Sequence, residues 1–294
     1  MDLPLYMHEL EKQVGSFIAS RDVASVKKLL AALHPHGMPG VFTYKQACQK
    51  VFDQAFLVAD RATPGVPPTA QASFTGSPLD EALRTIMEIS LDGGADVDHR
   101  MEGKTALALA SWSGAFDLVR YLVEKGADLE PDAELSSSAT SINIPLLLAI
   151  AGSNDEIAYF LVEQGACIEA EDEEGHTPLM WSIKEGRTQV RDYLADRGAA
   201  LHKNNAHEQN LLHLCMLSLE NFSDEVGVET LAWLSRRGVD PHQGQWDGLS
   251  AMQMSEDTGE IFGRAIHAGL TQRAADRLEK HTPASPVSLH RSRL

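Results

Sequence analysis

The stretch GHTPLMWSIKEGRTQVRDYLADRGAAL, residues Gly175–Leu201, decides how this chain folds. It opens with a Thr-Pro pair. A threonine hydroxyl can cap a helix start, and a proline at the first helical position costs no hydrogen bond. Further on, Val190, Tyr193 and Leu194 form an apolar stripe at helical spacing, and Gly198 follows where a left-handed residue often ends a helix. The stretch therefore predicts two helices joined by a short turn.

The same unit recurs along the chain at a nearly constant spacing. One tag follows the second helix, and another tag opens the first helix of the next unit. The count from the helix-opening tag to the next glycine is 21 residues in three units, which gives a period of about 33 residues. The tags after the second helices are Gly94-Ala-Asp-Val97, Gly126-Ala-Asp-Leu129, Gly165-Ala-Cys-Ile168, Gly198-Ala-Ala-Leu201 and Gly238-Val-Asp-Pro241. The helix-opening tags are Thr105-Ala-Leu107, His176-Thr-Pro-Leu179, Asn210-Leu-Leu-His213 and Leu249-Ser-Ala-Met252.

This pattern resembles the ankyrin repeat, whose Thr-Pro-Leu-His box opens the first of two helices. The best units are Gly103 to Glu130 and Gly175 to Leu201. The resemblance implies an all-α fold, an ankyrin-repeat solenoid of about six to seven helix-turn-helix units with β-hairpin-like finger loops. Because one helix pair has too little surface to stand alone, the units are expected to stack into one elongated domain.

The spacing also predicts the domain organisation. Residues 1–270 are expected to form a single ankyrin-repeat domain, followed by a terminal helix and disordered tail at 271–294. The predicted segments are an N-terminal capping helix pair at 5–40, an atypical repeat at 41–98 with an inserted loop at 61–76, repeats at 99–130, 143–169, 175–202 and 209–241, and a C-terminal cap at 249–269. In the atypical repeat, Ser77 caps the second helix; alternatively, Ser77-Pro-Leu79 is itself a degenerate helix-opening tag.

Two intervals are longer than the period. From Gly126 to Ile144 there are 18 residues where 12 are usual, so this finger loop is extended. From Asn210 to Gly238 there are 28 residues where 21 are usual, and the extra residues fall near 217–224, between the two helices of one unit.

The composition narrows the function classes. There are 42 acidic residues against 25 Lys and Arg, a net charge of −17, which argues against direct binding to nucleic acid or to an anionic membrane surface. Three scattered cysteines, Cys48, Cys167 and Cys215, fit a reducing compartment. Neither a secretory signal nor a membrane-spanning stretch is visible. We therefore expect a cytoplasmic protein that is monomeric.

No residue pattern indicates catalysis, a cofactor or a metal site, so the chain is predicted not to be an enzyme. His213 and Cys215 do not face each other on a helix, because they are two residues apart. The resemblance implies instead that His213 joins hydrogen bonds linking neighbouring repeats. The alternative is an enzyme whose site lies in the atypical N-terminal 100 residues, where the available polar groups are Tyr44, Lys45, Cys48, Asp53 and Asp60.

The resemblance also implies which side chains contact a protein partner. Repeat solenoids bind through their finger tips and the exposed face of their first helices. Among these positions Trp112 and Trp246 matter most, because exposed tryptophans are typical interface anchors; the alternative is that each packs against a neighbouring repeat. The predicted protein-binding residues are Met101, Glu102, Lys104, Trp112, Ser113, Glu130, Asp132, Glu134, Glu171, Asp172, Glu173, Glu174, His176, Lys184, Glu185, His207, Gln209, Trp246 and Asp247.

Two adjacent fingers are acidic. They carry Asp128, Glu130, Asp132 and Glu134 on one and Glu169, Glu171, Asp172, Glu173 and Glu174 on the next. These acids either form a solvated face or dock a basic patch, which would raise the association rate. The sequence thus predicts a non-enzymatic adaptor that binds a protein partner. The alternative is an inhibitor or immunity protein that neutralises a basic partner such as a nuclease toxin.

Overall fold

The computed structural model describes residues 12–33, 44–61, 81–101, 103–131, 143–258 and 260–281. Most of these residues are helical. The chain divides into two compact units, Met1–Glu173 and Glu174–Leu294. The expectation that residues 1–270 form one domain stays a prediction.

In the first unit, short helices follow one another in pairs. The helices are α1 (12–19), α2 (Val23–Leu33), α3 (Tyr44–Arg61), α4 (Glu81–Asp92), α5 (Ala106–Ser113), α6 (Phe116–Glu124), α7 (Pro145–Ala151) and α8 (Asp155–Glu163). Helices α2, α3 and α4 pack on one another. Helix α5 pairs with α6 and α7 pairs with α8, and α5 also contacts α7. The predicted loop at 61–76 and Ser77 fall almost wholly outside the described residues.

The second unit repeats the arrangement and ends in a longer helix. The helices are α9 (Pro178–Lys184), α10 (Thr188–Asp196), α11 (Leu211–Leu217), α12 (Asp224–Arg237), α13 (Ala251–Thr258) and α14 (Glu260–His281). Helix α11 packs on α9, α12 and α13, and α14 lies along α12. A short 3-10 helix, Leu219–Asn221, occupies the place where the spacing predicts extra residues.

The helix boundaries confirm the cap predictions. The Thr105 hydroxyl accepts a hydrogen bond from the Ala108 N–H at 3.2 Å, and the Thr177 hydroxyl accepts one from the Met180 N–H at 3.4 Å. The glycines that follow the second helices all have left-handed backbones, with φ of 86° to 99° at Gly126, Gly165, Gly198 and Gly238. A side chain at such φ values is strained, which explains the recurrence of glycine.

Two of the fingers are hairpin-like. Strand β1 (Arg100–Met101) pairs antiparallel with β2 (Lys104–Thr105). In the second unit, Trp246 and Leu249 form a bridge with both backbone N–H···O distances at 2.9 Å. Within the bridge, Asp247 and Gly248 both have positive φ, as a tight hairpin turn requires.

The C-terminal helix is longer than the repeat spacing suggests. Helix α14 continues through Gly269, where the predicted cap ends, to His281. Gly269 allows this because a Cβ there would lie 2.4 Å from the Ala232 carbonyl oxygen of α12. Without a side chain the two helices approach closely, and α14 buries Phe262 and Ile266. Across the part of the chain that the structure describes, no helix has the length and apolar content needed to cross a bilayer.

Candidate protein-binding surface

Trp112 is an exposed aromatic side chain on a fixed backbone. It lies in the last turn of α5 and is 48% exposed. The Asn154 side-chain amide donates hydrogen bonds to the carbonyl oxygens of Ser111 and Trp112, both at 2.9 Å. Gly114 ends the helix in a left-handed conformation. The backbone is therefore held from two sides while the indole ring stays open to solvent.

Trp246 is presented in a similar way in the second unit. It is 38% exposed and lies in the bridge to Leu249. The neighbouring Gln245 N–H donates to the Glu208 carbonyl oxygen at 3.1 Å, which ties this finger to the preceding one. Asp247, at the turn, is exposed. A rigid aromatic side chain loses little conformational entropy on binding, which suits an interface anchor.

The other predicted binding residues differ in accessibility. Met101, Lys104, Ser113, Asp172, Lys184 and Glu185 are half-buried, and Glu171, Glu173, Glu174 and His207 are exposed. The Lys184 ammonium lies 4.3 Å from the centre of the Trp181 ring. Burial raises the pKa of the neighbouring Glu185 carboxyl. Glu102, Asp132 and Glu134 lie outside the described residues.

Two residues expected on the binding surface are buried instead, so that expectation is wrong for them. His176 is 2% exposed and Gln209 is 4% exposed. Both belong to a hydrogen-bonded cluster around Asn205, whose side-chain amide contacts the His176 ring at 3.0 Å and donates to Gln209 at 2.7 Å. These side chains hold the finger together and are not available to a partner.

Several acids of the fingers bind backbone N–H groups rather than facing only solvent. Asp98 accepts a hydrogen bond from the Asp128 N–H at 2.8 Å, and Glu130 accepts one from the Cys167 N–H at 2.8 Å. Each bond joins one finger to the next. Burial raises the pKa of both the Asp98 and the Glu130 carboxyl, because the charged form is less well solvated. Glu130, predicted as a binding residue, is half-buried and forms an inter-finger link.

The repeat spacing does not predict these links, although the chain carries a signal for them. The N–H that is bound belongs to the third residue of the tag, at Asp96, Asp128 and Cys167. In the last two cases the acceptor lies two residues after the third residue of the preceding tag, as Asp98 follows Asp96 and Glu130 follows Asp128. An acid at that position therefore indicates a link between fingers as well as a surface charge.

Substitutions at Glu130 test this interpretation. Glu130→Ala leaves the Cys167 N–H without its acceptor, and we expect the free energy of unfolding at pH 7 to fall by about 1–2 kcal/mol. Glu130→Gln keeps an acceptor and removes a poorly solvated charge, so it should be at least as stable as the wild type. Urea unfolding followed by circular dichroism measures both values.

The pH dependence gives the control for Glu130. Because its folded-state pKa is raised, the cost of burying the charge is present at neutral pH and disappears as the pH falls through that pKa. The stability advantage of Glu130→Gln should therefore shrink on acidification. Glu173→Gln, at an exposed acid, should leave stability nearly unchanged at either pH. Equal effects of Glu130→Ala and Glu173→Ala would contradict the link.

The N-terminal polar residues do not form a reactive site in the part that the structure describes. Cys48 is fully buried, and burial raises the pKa of its thiol, so the nucleophilic thiolate is disfavoured. Desolvation also raises the pKa of Tyr44 and of Asp53, and Asp53 lies 3.7 Å from the His99 ring nitrogen. The side chain of Asp60 lies outside the described residues. Among the described side chains, no three His, Cys, Asp or Glu residues gather to hold a metal ion.

His213 has the structural role that the resemblance implies. Its Nδ1 accepts a hydrogen bond from the Asn210 backbone N–H at 3.3 Å, and its Nε2 donates one to the Leu249 carbonyl oxygen of the following repeat at 3.2 Å. Burial lowers the pKa of His213, which favours the neutral ring. Cys215, two residues on, is fully buried, and burial raises its pKa to about 12.

Comparisons with known proteins agree with this architecture. The family model described as "Ankyrin repeat" matches residues 102–133, and the model described as "Ankyrin repeats (3 copies)" matches residues 130–206. Among solved structures, an ankyrin repeat domain from Acinetobacter baumannii superposes with a TM-score of 0.54 and 20% identity, covering 63% of this chain and 92% of that one.

Curated relatives share short segments. Transient receptor potential cation channel subfamily A member 1 of Drosophila melanogaster is 27% identical over 147 residues, 48% of this chain and 12% of that protein. E3 ubiquitin-protein ligase Ufd4 of the same organism is 38% identical over 100 residues, 34% of this chain and 3% of that protein. Human SH3 and multiple ankyrin repeat domains protein 2 is 29% identical over 154 residues, 51% of this chain and 8% of that protein. The chain thus spans no more than 12% of the length of these relatives.

The repeat period, the capped helix pairs, the left-handed glycines and the hairpin fingers all agree with the matches over residues 102–206. Residues 102–206 therefore consist of ankyrin repeats, and the chain has an all-α ankyrin-repeat solenoid fold.

Proposed function

We propose that this protein is a non-enzymatic adaptor that binds a protein partner through its finger tips and the exposed face of its first helices. Ankyrin repeats are protein–protein interaction modules, and this general role applies to the chain. The observation that carries the specific proposal is the exposed Trp112 ring on a backbone fixed by Asn154. Cytoplasmic location and a monomeric state belong to the same proposal.

Tryptophan anchors explain why a rigid repeat scaffold would expose costly apolar surface. A few aromatic side chains commonly supply most of the binding free energy of an interface, with polar residues around them. A polar residue follows each tryptophan in the chain, Ser113 after Trp112 and Asp247 after Trp246. This composition favours a folded protein partner over a membrane surface or a nucleic acid.

Alanine substitutions at the tryptophans test the proposal. A tagged full-length chain is used to isolate partners, which are identified by mass spectrometry, purified and titrated by calorimetry. Trp112→Ala and Trp246→Ala are each expected to weaken binding by about thirtyfold or more, because hot-spot truncations cost at least about 2 kcal/mol. Helix content by circular dichroism should be unchanged.

The matched control is Ile261→Ala on α14. Ile261 is 49% exposed, as open as Trp112, but lies neither on a finger nor on a first helix of the predicted surface. Its replacement should leave affinity within about twofold. A partner that binds both tryptophan variants as tightly as the wild type would contradict the proposal.

A second candidate is an inhibitor that neutralises a basic partner such as a nuclease toxin. It is supported by the net charge of −17 and by the exposed side chains of Glu171, Glu173 and Glu174. Electrostatic steering would then dominate the association rate, which would fall steeply with added salt. Co-purification with a basic nuclease and loss of its activity supports this candidate; a neutral partner without enzymatic activity favours the adaptor.

A further inference from the structure

A buried histidine ring lies against a finger of the second unit. The His176 side chain is enclosed between the turn that precedes α9 and the finger at residues 203–209. Its Nε2 lies 3.0 Å from the Asn205 amide nitrogen, and its Nδ1 lies 3.3 Å from a Glu174 carboxylate oxygen. The ring also meets the Trp181 ring edge-on, with centroids 6.1 Å apart.

The orientation of the Asn205 amide is fixed by its other contacts. Its Oδ1 accepts hydrogen bonds from the backbone N–H groups of His207 and Gln209, both at 3.0 Å. Its Nδ2 donates to the Gln209 side-chain oxygen at 2.7 Å. A flipped amide would place its NH₂ group against two N–H donors. The atom of Asn205 that faces His176 is therefore the donor, Nδ2.

This geometry assigns the protonation state of the ring. Nε2 must offer its lone pair to Asn205, and Nδ1 must carry the proton that is donated to Glu174. A second proton on Nε2 would replace the acceptor with a donor facing another donor. The ring can accept that proton only if the contact with Asn205 is broken.

We propose that His176 is an acid-sensitive latch: protonation of its Nε2 releases Asn205 and loosens the finger at residues 203–209. The Ala206 N–H also joins the finger to residues 174–176, because it donates to the Glu174 carbonyl oxygen at 2.8 Å. The inference concerns the order of a finger, so it goes beyond the proposed binding function and does not depend on it.

The groups around the ring set the direction of the effect. Asn205 and Gln209 on the finger and Trp181 on α9 are neutral, and the Glu174 carboxylate is a charged group that faces the ring. Glu174 attracts a protonated ring, but its side chain is largely exposed and its attraction is weakened by solvent. It acts on Nδ1 and cannot relieve the conflict at Nε2. A second proton on the ring therefore favours the released finger, because it opposes the Asn205 amide donor.

The test is made on the full chain by nuclear magnetic resonance. Ring ¹⁵N spectra at pH 7.5 should show His176 with its proton on Nδ1. Amide exchange, corrected to unstructured peptides at each pH, should show about a tenfold loss of protection at His207 and Gln209 between pH 7.5 and pH 5.0. Protection of the Ala199 amide, at the end of α10, should stay constant.

Two variants separate the latch from general acid sensitivity. His176→Gln offers a non-titrating acceptor, so the protection of the finger should become independent of pH. Asn205→Asp offers an acceptor to a protonated Nε2, so protection should be retained at pH 5.0 and exceed that of the wild type. A neutral His176 with its proton on Nε2, or a loss of protection in His176→Gln equal to that of the wild type, would overturn the inference.

Discussion

Replacing Arg191 with alanine is expected to lower the free energy of unfolding by about 4 kcal/mol, close to the upper end for a large buried side chain. Arg191 is 1% exposed and joins α10 to α12. Its guanidinium stacks 4.4 Å from the centre of the Trp233 ring and donates to the Thr230 hydroxyl at 2.9 Å and to Glu229 at 3.1 Å. Truncation therefore opens a cavity and removes a polar contact at once.

Two controls separate packing from charge at this site. The carboxylates that pair with Arg191, on Asp192 and Glu229, are open to solvent, so no buried charge is left behind when the arginine is removed. Arg191→Met should restore most of the packing and cost only about 1 kcal/mol. Arg237→Ala should cost less than about 1 kcal/mol, because Arg237 stacks on the same ring at 4.4 Å but is partly exposed. Equal losses in Arg191→Ala and Arg237→Ala, measured by urea unfolding, would show that burial of the guanidinium is not decisive.

Replacing Asn210 with alanine is expected to cost about 3 kcal/mol. The buried side chain caps α11, because its oxygen accepts from the Leu212 and His213 N–H groups. Its amide nitrogen also donates to the carbonyl oxygens of Asp240 at 2.9 Å and of Gln243 at 2.6 Å. The loss of a cap costs about 1 kcal/mol, and the two lost hydrogen bonds to carbonyl oxygens, each worth about 1 kcal/mol, account for the rest.

Thr177→Ala is the matched control for Asn210. Thr177 occupies the same position one repeat earlier, and its hydroxyl accepts the cap hydrogen bond from the Met180 N–H at 3.4 Å. Its replacement should cost only about 1 kcal/mol. Asn210→Asp keeps the cap oxygen but turns a second oxygen toward two carbonyl groups, so it should be nearly as destabilised as Asn210→Ala at neutral pH. Thermal unfolding of the three variants checks the order, and a wild-type melting temperature for Asn210→Asp would contradict it.

The sequence predicted the regular part of the fold because each repeat carries local signals. The cap residues Thr105 and Thr177, the glycines after the second helices and the extra residues near 217–224 all act within a few positions of the chain. Helix α14 was harder to delimit. Its continuation through Gly269 depends on close contact with Ala232 of α12, and no local pattern contains a contact between residues so far apart in the chain.

The candidate site was less predictable because exposure depends on neighbouring repeats. His176 and Gln209 occupy positions that face solvent in the family pattern, yet Asn205 draws both into a buried cluster. Trp181 and Trp233 are half-buried under Lys184, Arg191 and Arg237, which lie on neighbouring turns and helices. The sequence shows where the acidic residues stand, but it does not tell which backbone N–H group donates a hydrogen bond to each carboxylate.

The carboxylates that join successive fingers also limit how the chain can be redesigned. Removing negative charges is a common way to alter a protein's solubility or its choice of partner, and most exposed acidic residues can be replaced for this purpose. At Asp98 and Glu130, however, the side chain must accept a hydrogen bond from a backbone N–H. Asparagine or glutamine can supply that acceptor, whereas lysine would oppose one donor with another. Asp98→Asn and Glu130→Gln would therefore reduce the negative charge and keep the links between fingers. Replacing either acid with lysine would break its link.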